Sequence, residues 1–201
     1  MKEDFGKALI RGSEFADMRA AGIQIPQKDL DDFAEADAKF LAPWRALLGL
    51  DNCKVAVSGA APLPVEILTF FRGLGIPVSE IYGLSETCGP LTWSPNAQRN
   101  GFVGEPIPGE EVALGDDGEV LVRGANIFGG YLKDEEKTRE AIDKDGWFHT
   151  GDIGVFEDGQ LKIVDRKKEL IITAGGKNVS PANLEAHLKT SSYIFNACVL
   201  I

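Results

Sequence analysis

Between Lys54 and Tyr82 the chain reads strand, helix, strand, and this stretch limits the fold more than any other. Lys54 to Ser58 (KVAVS) is a short β-branched run, and Pro64 suits the first turn of a helix whose apolar stripe is Ile67, Leu68, Phe71 and Leu74. Gly73 and Gly75 end that helix, and Val78 to Tyr82 returns as a second strand. Strands joined by such a crossover run parallel, with a right-handed connection. The class is therefore α/β, and open sheets of this class bind ligands beyond the carboxyl ends of their strands. Two turns are expected on that edge: Gly59-Ala60-Ala61 and Tyr82 to Thr87. Small residues in the first let a flat ring lie against the backbone; alternatively, they make only a tight strand-to-helix turn.

The second turn sits in Tyr82 to Pro90, YGLSETCGP. It places an aromatic ring, a glycine, a hydroxyl and a carboxylate within five residues. Tyr82 can stack on a base, Gly83 lets the backbone turn and approach a ligand, Ser85 can bond phosphate oxygens, and Glu86 can hold Mg²⁺. Alone, the nonamer also reads as a strand ending in a polar turn. Paired with the first turn on one edge, it reads as part of a nucleotide site. Cys88, beside the carboxylate of Glu86, is not read as a nucleophile, and His149 and His187 carry no assigned role.

Around this unit, Met1 to Lys28 has no sustained periodicity and is punctuated by Gly22 and Pro26, so it is expected to be irregular. Asp29 to Leu48 has apolar residues at helical spacing, with Pro43 breaking or kinking a core-packing helix pair. From Glu110 the pattern changes to hairpins. Val112 to Leu114 and Val120 to Val122 flank Gly115-Asp116-Asp117-Gly118, and Val155-Phe156 and Leu161 to Ile163 flank Glu157-Asp158-Gly159-Gln160. Between them Asp134 caps a helix with acidic residues in its first turn, and Gly146 is expected to end it. This predicts an antiparallel, barrel-like module. Trp147 to Gly154 (WFHTGDIG) is expected to connect its parts, with Asp152 between glycine-bracketed turns either capping backbone N–H groups or holding ligand hydroxyls.

Asp165 to Glu169 (DRKKE) places five charges in a row. It is either a solvated turn or a joint between domains, with Arg166 pointing back at a ligand and Lys168 free to change its dihedrals. Beyond it, Leu170 to Thr173 reads as a strand, Ala174-Gly175-Gly176 as a loop, and Ser180-Pro181 as the start of a helix through Leu184 and Leu188. The expected domains are an α/β part over 1–109, the β-barrel-like subdomain over 110–165, and a hinge with the start of a small α+β C-terminal domain over 166–201. The apolar run at Val199 to Ile201 stops in mid-pattern, so a fragment is expected.

A net charge of −10 in 201 residues argues against a nucleic-acid surface or a polybasic membrane contact. Three cysteines, widely spaced and odd in number, suggest neither a disulfide framework nor a zinc site. No stretch approaches the ~20 apolar residues of a membrane span, and a cytoplasmic location is expected.

Four stretches in order, YGLSET, GEVLVRGANIFGGYLKDEEKT, GWFHTGD and DRKKELIITAGGKNVSPANLE, resemble successive core motifs of the adenylate-forming (AMP-binding) superfamily. SGAAPLP and ITAGGKNVSPANLE are most similar to its long-chain fatty acyl-CoA ligases, and the match runs from about Asp37 to the C-terminus. The resemblance implies a two-step reaction using ATP, Mg²⁺ and CoA. A fatty acid carboxylate attacks the α-phosphate and releases pyrophosphate, and the CoA thiol then displaces AMP. It implies that the Gly59-Ala60-Ala61 backbone and Tyr82 sandwich adenine, that Ser85 contacts phosphate where many relatives carry Thr, and that Glu86 binds Mg²⁺. It further implies that Asp152 and Arg166 hold the ribose hydroxyls, that Lys168 is the hinge residue, and that Gly175 and Gly176 line the pantetheine passage. Asp165 is then structural.

The family's Ser/Thr/Gly-rich phosphate loop and its C-terminal catalytic lysine are not found, so little ligase activity is expected of this polypeptide alone. Peripheral membrane contact of the full-length enzyme and self-association through exposed edges belong to the same expectation. Two other readings stay open: an adenylating ligase for aryl, short-chain or amino acids, and a non-catalytic nucleotide-binding module.

Overall fold

Glycines at positions 12 and 73 decide how the first helical layer closes. The computed structural model describes residues 2–95, 99–172, 178–191 and 193–199. It divides into two compact units, Met1–Glu80 with Ser94–Gly101, and Ile81–Trp93 with Phe102–Ile201.

In the first unit, helix α1 (Lys2–Ala20) packs on helix α4 (Val65–Gly73). A Cβ on Gly12 would stand 2.2 Å from the carbonyl oxygen of Gly73, and one on Gly73 would stand 2.4 Å from that of Leu9. Only glycine allows so close a crossing. The expected irregular N-terminus is thus corrected to a 19-residue helix. Its buried stripe is Ala8, Gly12 and Phe15, too small in two of three positions to register as an apolar period.

Helix α2 (Gln27–Ala36) continues through a π-helical turn (Asp37–Leu41) into α3 (Ala42–Leu47), whose first turn holds Pro43. The widened turn accommodates the missing proline N–H, and Arg45 clasps it by bonding both oxygens of Asp37 at 2.7 and 2.6 Å. The core here is Ala8, Leu41, Leu74 and Ile76, with Phe33, Phe40 and Phe71 against it. Strands β1 (Ala56–Ser58) and β2 (Val78–Glu80) pair in parallel, from Ala56 opposite Val78 to Ser58 opposite Glu80, as the β-α-β pattern requires.

The second strand stops at Glu80, two residues earlier than expected. Tyr82 instead opens strand β3 (Tyr82–Leu84), which pairs antiparallel with β4 (Gly89–Thr92). The turn at Ser85–Thr87 is therefore the tip of a hairpin and not the end of a parallel strand. Gly83 makes this possible: a Cβ there would lie 2.1 Å from the carbonyl oxygen of Gly89. Its role is close backbone approach.

The second unit is organised on a curled antiparallel sheet, β5 (Glu110–Leu114), β6 (Glu119–Gly124), β7 (Phe148–Glu157) and β8 (Gln160–Arg166), in that spatial order. Bulges at Glu119/Leu121 and Ile153/Gly154 bend it. Tyr82, Leu91, Val120, Val122, Phe148 and Leu161 form its buried core. WFHTGDIG is not a connector: from Phe148 onward it lies in β7, and Asp152 pairs with Arg166 across β8.

Helix α5 (Glu135–Ala141) is capped by Asp134, which accepts the Lys137 N–H at 3.1 Å, as expected. It ends at Ala141, and Gly146 serves a tight turn beyond it, bonded to the carbonyl of Asp143 at 3.1 Å. Past β8 come a turn at 167–169, the short pair β9 (Ile171–Ile172) and β10 (Asn178–Val179), and helix α6 (Pro181–Leu188).

Candidate functional site

Three of the side chains that the sequence singled out, Tyr82, Asp152 and Arg166, gather in the second unit around one buried carboxylate. Asp152 sits mid-strand in β7 and is only 5% exposed. The Tyr82 hydroxyl donates to its Oδ2 at 2.7 Å, and Arg166 brings Nε to 3.4 Å from its Oδ1. Burial pushes the Tyr82 hydroxyl well above its ordinary range, with Asp152 adding to the shift against Thr150 and Arg166. Tyr82 therefore stays a donor, and its short bond holds the Asp152 carboxylate in one orientation. Each carboxylate oxygen keeps a further lone pair for a ligand hydroxyl. Arg166 itself is mostly exposed. Tyr82, expected to stack on a base, is brought together with Asp152 and Arg166, the pair expected to hold ribose hydroxyls.

A second group lies on the hairpin tip. Ser85 is exposed and Glu86 half-buried, in a single 3₁₀ turn that Thr87 holds from inside. The Thr87 hydroxyl is fully buried, accepts the Leu84 N–H at 2.9 Å and lies 2.7 Å from the Gly89 carbonyl. The turn closes with Cys88 in the left-handed region at φ 52°. Glu86 is fastened twice from the segment before α5: Phe128 N–H donates to its carbonyl at 2.8 Å, and the Tyr131 hydroxyl donates to its Oε1 at 3.0 Å.

Among the described residues no group of three or more His, Cys, Asp or Glu side chains could hold a metal ion. A lone carboxylate nevertheless suits Mg²⁺, which keeps its waters and takes one or two protein carboxylates plus substrate phosphates. Glu86, with Oε1 fixed by a phenol and a second oxygen available, fits that donor set.

Gly59, Ala60 and Ala61 belong to the first unit, on an exposed turn after β1. Ala60 has φ 68°, a left-handed conformation that costs a non-glycine residue about 1 kcal/mol or more. Lys168 is exposed in the turn after β8, while Gly175 and Gly176 lie outside the described residues. Asp165, buried, accepts from Ser180 Oγ and from the Arg166 N–H at 2.7 Å, in keeping with a structural part.

Sequence reasoning missed a further set, built on Glu119. This carboxylate is 6% exposed and lies 2.9 Å from Lys167 Nζ, 3.0 Å from the Gly151 N–H and 3.2 Å from His149 Nδ1. Burial alone would raise its pKa, but Lys167, His149 and the Gly151 amide together hold it below the ordinary value. Lys167 also bonds Asp117 at 2.6 Å, and its N–H reaches the Gly151 carbonyl at 2.8 Å. The cluster thereby ties β6 to both Thr150-Gly151-Asp152 and the residue preceding Lys168. Its only local signals are a carboxylate opening a strand and a lysine inside a charge run.

The family model described as AMP-binding enzyme matches residues 16–132. The chain belongs to this family. The long-chain-fatty-acid–CoA ligase FadD15 of Mycobacterium bovis (strain ATCC BAA-935 / AF2122/97) is 52% identical over 190 residues, 94% of this chain and 31% of its own length.

Among solved structures, the O-succinylbenzoate CoA synthetase MenE of Bacillus subtilis in complex with the acyl-adenylate intermediate OSB-AMP superposes with TM-score 0.69 at 25% identity, over 88% of this chain and 40% of that one. The same enzyme in complex with ATP and magnesium ion gives TM-score 0.60 at 30% identity, over 66% and 30%. The chain spans about 30% of the length of the curated relatives it matches, 29% and 31% for two of them. No helix among the described residues is long and apolar enough to cross a membrane.

Proposed function

We propose that this chain carries part of the adenylate site of an ATP-dependent fatty acid–CoA ligase. The observation that carries the reading is the Tyr82–Asp152–Arg166 constellation, a buried carboxylate oriented by a phenol at 2.7 Å and flanked by a guanidinium at 3.4 Å, in a chain of the AMP-binding family. Membership alone would allow many acids. The 52% identity to a long-chain-fatty-acid–CoA ligase favours a fatty acid.

In this reading the carboxylate oxygen of the acid attacks the α-phosphorus of ATP, and pyrophosphate leaves. The CoA sulfur then attacks the carbonyl carbon of the acyl-adenylate, and AMP leaves. Asp152 accepts the ribose hydroxyls, so the sugar is fixed before the phosphate is reached. Arg166 balances the charge that Asp152 brings next to a polyanion. Tyr82 gives the base a flat ring whose hydroxyl cannot swing, and Ser85 donates from the hairpin tip to a phosphate oxygen. Glu86 is the protein carboxylate for Mg²⁺, which when bound neutralises phosphate charge.

Lys168 is the residue whose dihedrals change between the two half-reactions, with 1–109, 110–165 and 166–201 as the parts of the domain plan. Gly175 and Gly176 line the CoA passage in that plan. The free cysteines Cys53, Cys88 and Cys198 accord with a cytoplasmic protein. Peripheral membrane contact and self-association extend the same reading.

Acid-dependent exchange of pyrophosphate into ATP, run on the complete gene product with palmitate, benzoate, acetate and amino acids, tests the assignment. Exchange with palmitate is expected; exchange confined to another acid class would replace the substrate. This polypeptide alone is expected to release only traces of pyrophosphate, and a rate near that of complete relatives would contradict that part.

A further inference from the structure

The segment Gly124 to Tyr131 fastens Glu86, and it is built toward that carboxylate from three directions. Tyr131 stacks edge-on against Phe128 at 4.8 Å and 73°, and Phe128 in turn meets the buried Phe148 at 5.6 Å and 78°. The ring is thus referenced to the core of the curled sheet. Its backbone is held independently: the Tyr131 N–H donates to Thr138 Oγ1 at 2.9 Å, and that hydroxyl donates to the Asp134 carbonyl at 2.8 Å, at the start of α5.

The approach of this loop to α5 requires Gly130. That residue sits at φ 132°, and a Cβ there would lie 2.6 Å from Thr138 Cγ2. Finally, Phe128 N–H bonds the Glu86 carbonyl at 2.8 Å, so the same segment that supplies the phenol also fixes the backbone bearing the carboxylate.

We infer that Tyr131 is a positioning residue for metal-bound nucleotide: its hydroxyl, donating to Glu86 Oε1 at 3.0 Å, holds the carboxylate in one rotamer with the other oxygen presented to Mg²⁺. The inference rests on the adenylate-site reading and deepens it. A flexible glutamate on a half-buried turn loses side-chain freedom when it binds a cation, and a preset rotamer removes that cost. Outer partners of metal-binding carboxylates act in this way generally.

The test uses this chain, its Tyr131→Phe and Glu86→Gln variants, and Mn²⁺ as a paramagnetic substitute for Mg²⁺. Binding of ATP is measured with and without the ion, and bound Mn²⁺ is counted by electron paramagnetic resonance. Tyr131→Phe keeps the ring stack and removes only the hydroxyl. It is expected to weaken Mn²⁺-dependent ATP binding about fivefold, the scale of one hydrogen bond to a charged group at a partly exposed position. Metal-free AMP binding should stay within about twofold, and Glu86→Gln should abolish the metal-dependent increment.

An unchanged increment in Tyr131→Phe, with the Glu86→Gln loss intact, overturns the role of Tyr131 and leaves the adenylate site standing. An equal loss of metal-free AMP binding in Tyr131→Phe marks a structural effect and also overturns it. Wild-type protein that binds AMP but shows no metal-dependent increment removes the Glu86 metal role along with this inference. Wild-type protein that binds no nucleotide at all removes the adenylate-site reading and this inference together.

Discussion

Each compact unit buries one glutamate to the same extent, and the two are treated in opposite ways. Glu80, ending β2 in the first unit, is 6% exposed, as is Glu119 at the start of β6 in the second. Glu80 accepts the Leu63 N–H at 3.0 Å on Oε1, its Oε2 has no partner among the described residues, and burial raises its pKa against the help of the Leu63 and Gly101 amides. Glu119 has a lysine, a histidine nitrogen and an amide, and its pKa falls in spite of burial.

The contrast extends to packing. The first unit leaves Val55, Val57, Val65 and Ile67 exposed around its two short strands, whereas the second buries Val120, Val122, Phe148 and Leu161 inside a four-stranded sheet. The side chains Tyr82, Asp152 and Arg166 stand on the second unit. The first contributes a strained backbone turn at Ala60.

Breaking the sheet core should have the largest effect. Leu161→Ala is expected to cost about 2–5 kcal/mol, since Leu161 is fully buried and joined to Gly104 across the sheet. Amide exchange in β6 to β8 should accelerate while that of α1 does not; uniform acceleration would mean that the units are not independent in stability.

Next comes the cluster around Glu119: Glu119→Gln should cost about 1–3 kcal/mol, discounted because Lys167 is partly exposed. The sign with pH follows from the lowered folded pKa. The contribution of Glu119 is complete above the ordinary 4.5 and is lost as pH falls through the folded value. Wild type should therefore lose more stability on acidification than Glu119→Gln.

Tyr82→Phe should cost about 0.5–1.5 kcal/mol in urea unfolding, because Asp152 keeps Arg166 nearby but loses its short bond.

The smallest change concerns Glu80, with opposite sign. A raised folded pKa means that the folded state holds the proton longer, so stability declines as pH rises from 4.5 through the folded value. Glu80→Gln should flatten that decline by about 1 kcal/mol or less, leaving stability at low pH unchanged. An equal loss at every pH would show that packing, and not ionisation, governs the site.

What the sequence made legible follows the range of the interactions. Helix α4, the hairpin turn at Gly115 to Gly118 and the Asp134 cap are local events, readable from proline, glycine and aspartate at fixed offsets. Tyr82, Asp152 and Arg166 were legible because each stands in its own ordered motif, although the contact between Tyr82 and Asp152 spans 70 residues. Helix α1 was not, because its contact surface is made of Ala8 and Gly12, where the absence of side chain is the feature that packs. Strand β7 was hidden by the glycines of WFHTGDIG; Gly154 lies at a bulge where a Cβ would stand 2.8 Å from Val120 Cγ2. Glu119 with Lys167, and Tyr131 with Glu86, are pairings across 48 and 45 residues that no local pattern announces.

Calorimetric titration of AMP into this chain, beside Asp152→Ala and Asp152→Asn, reads the adenylate site most directly. Asparagine keeps an acceptor for the Tyr82 hydroxyl, so a loss shared by both variants reports the missing charge and hydroxyl contacts rather than a damaged fold. The account predicts binding by wild type and a loss on the order of tenfold or more in both variants, with circular dichroism of the asparagine variant unchanged. Equal affinity in all three, or no heat of binding in wild type, would contradict it.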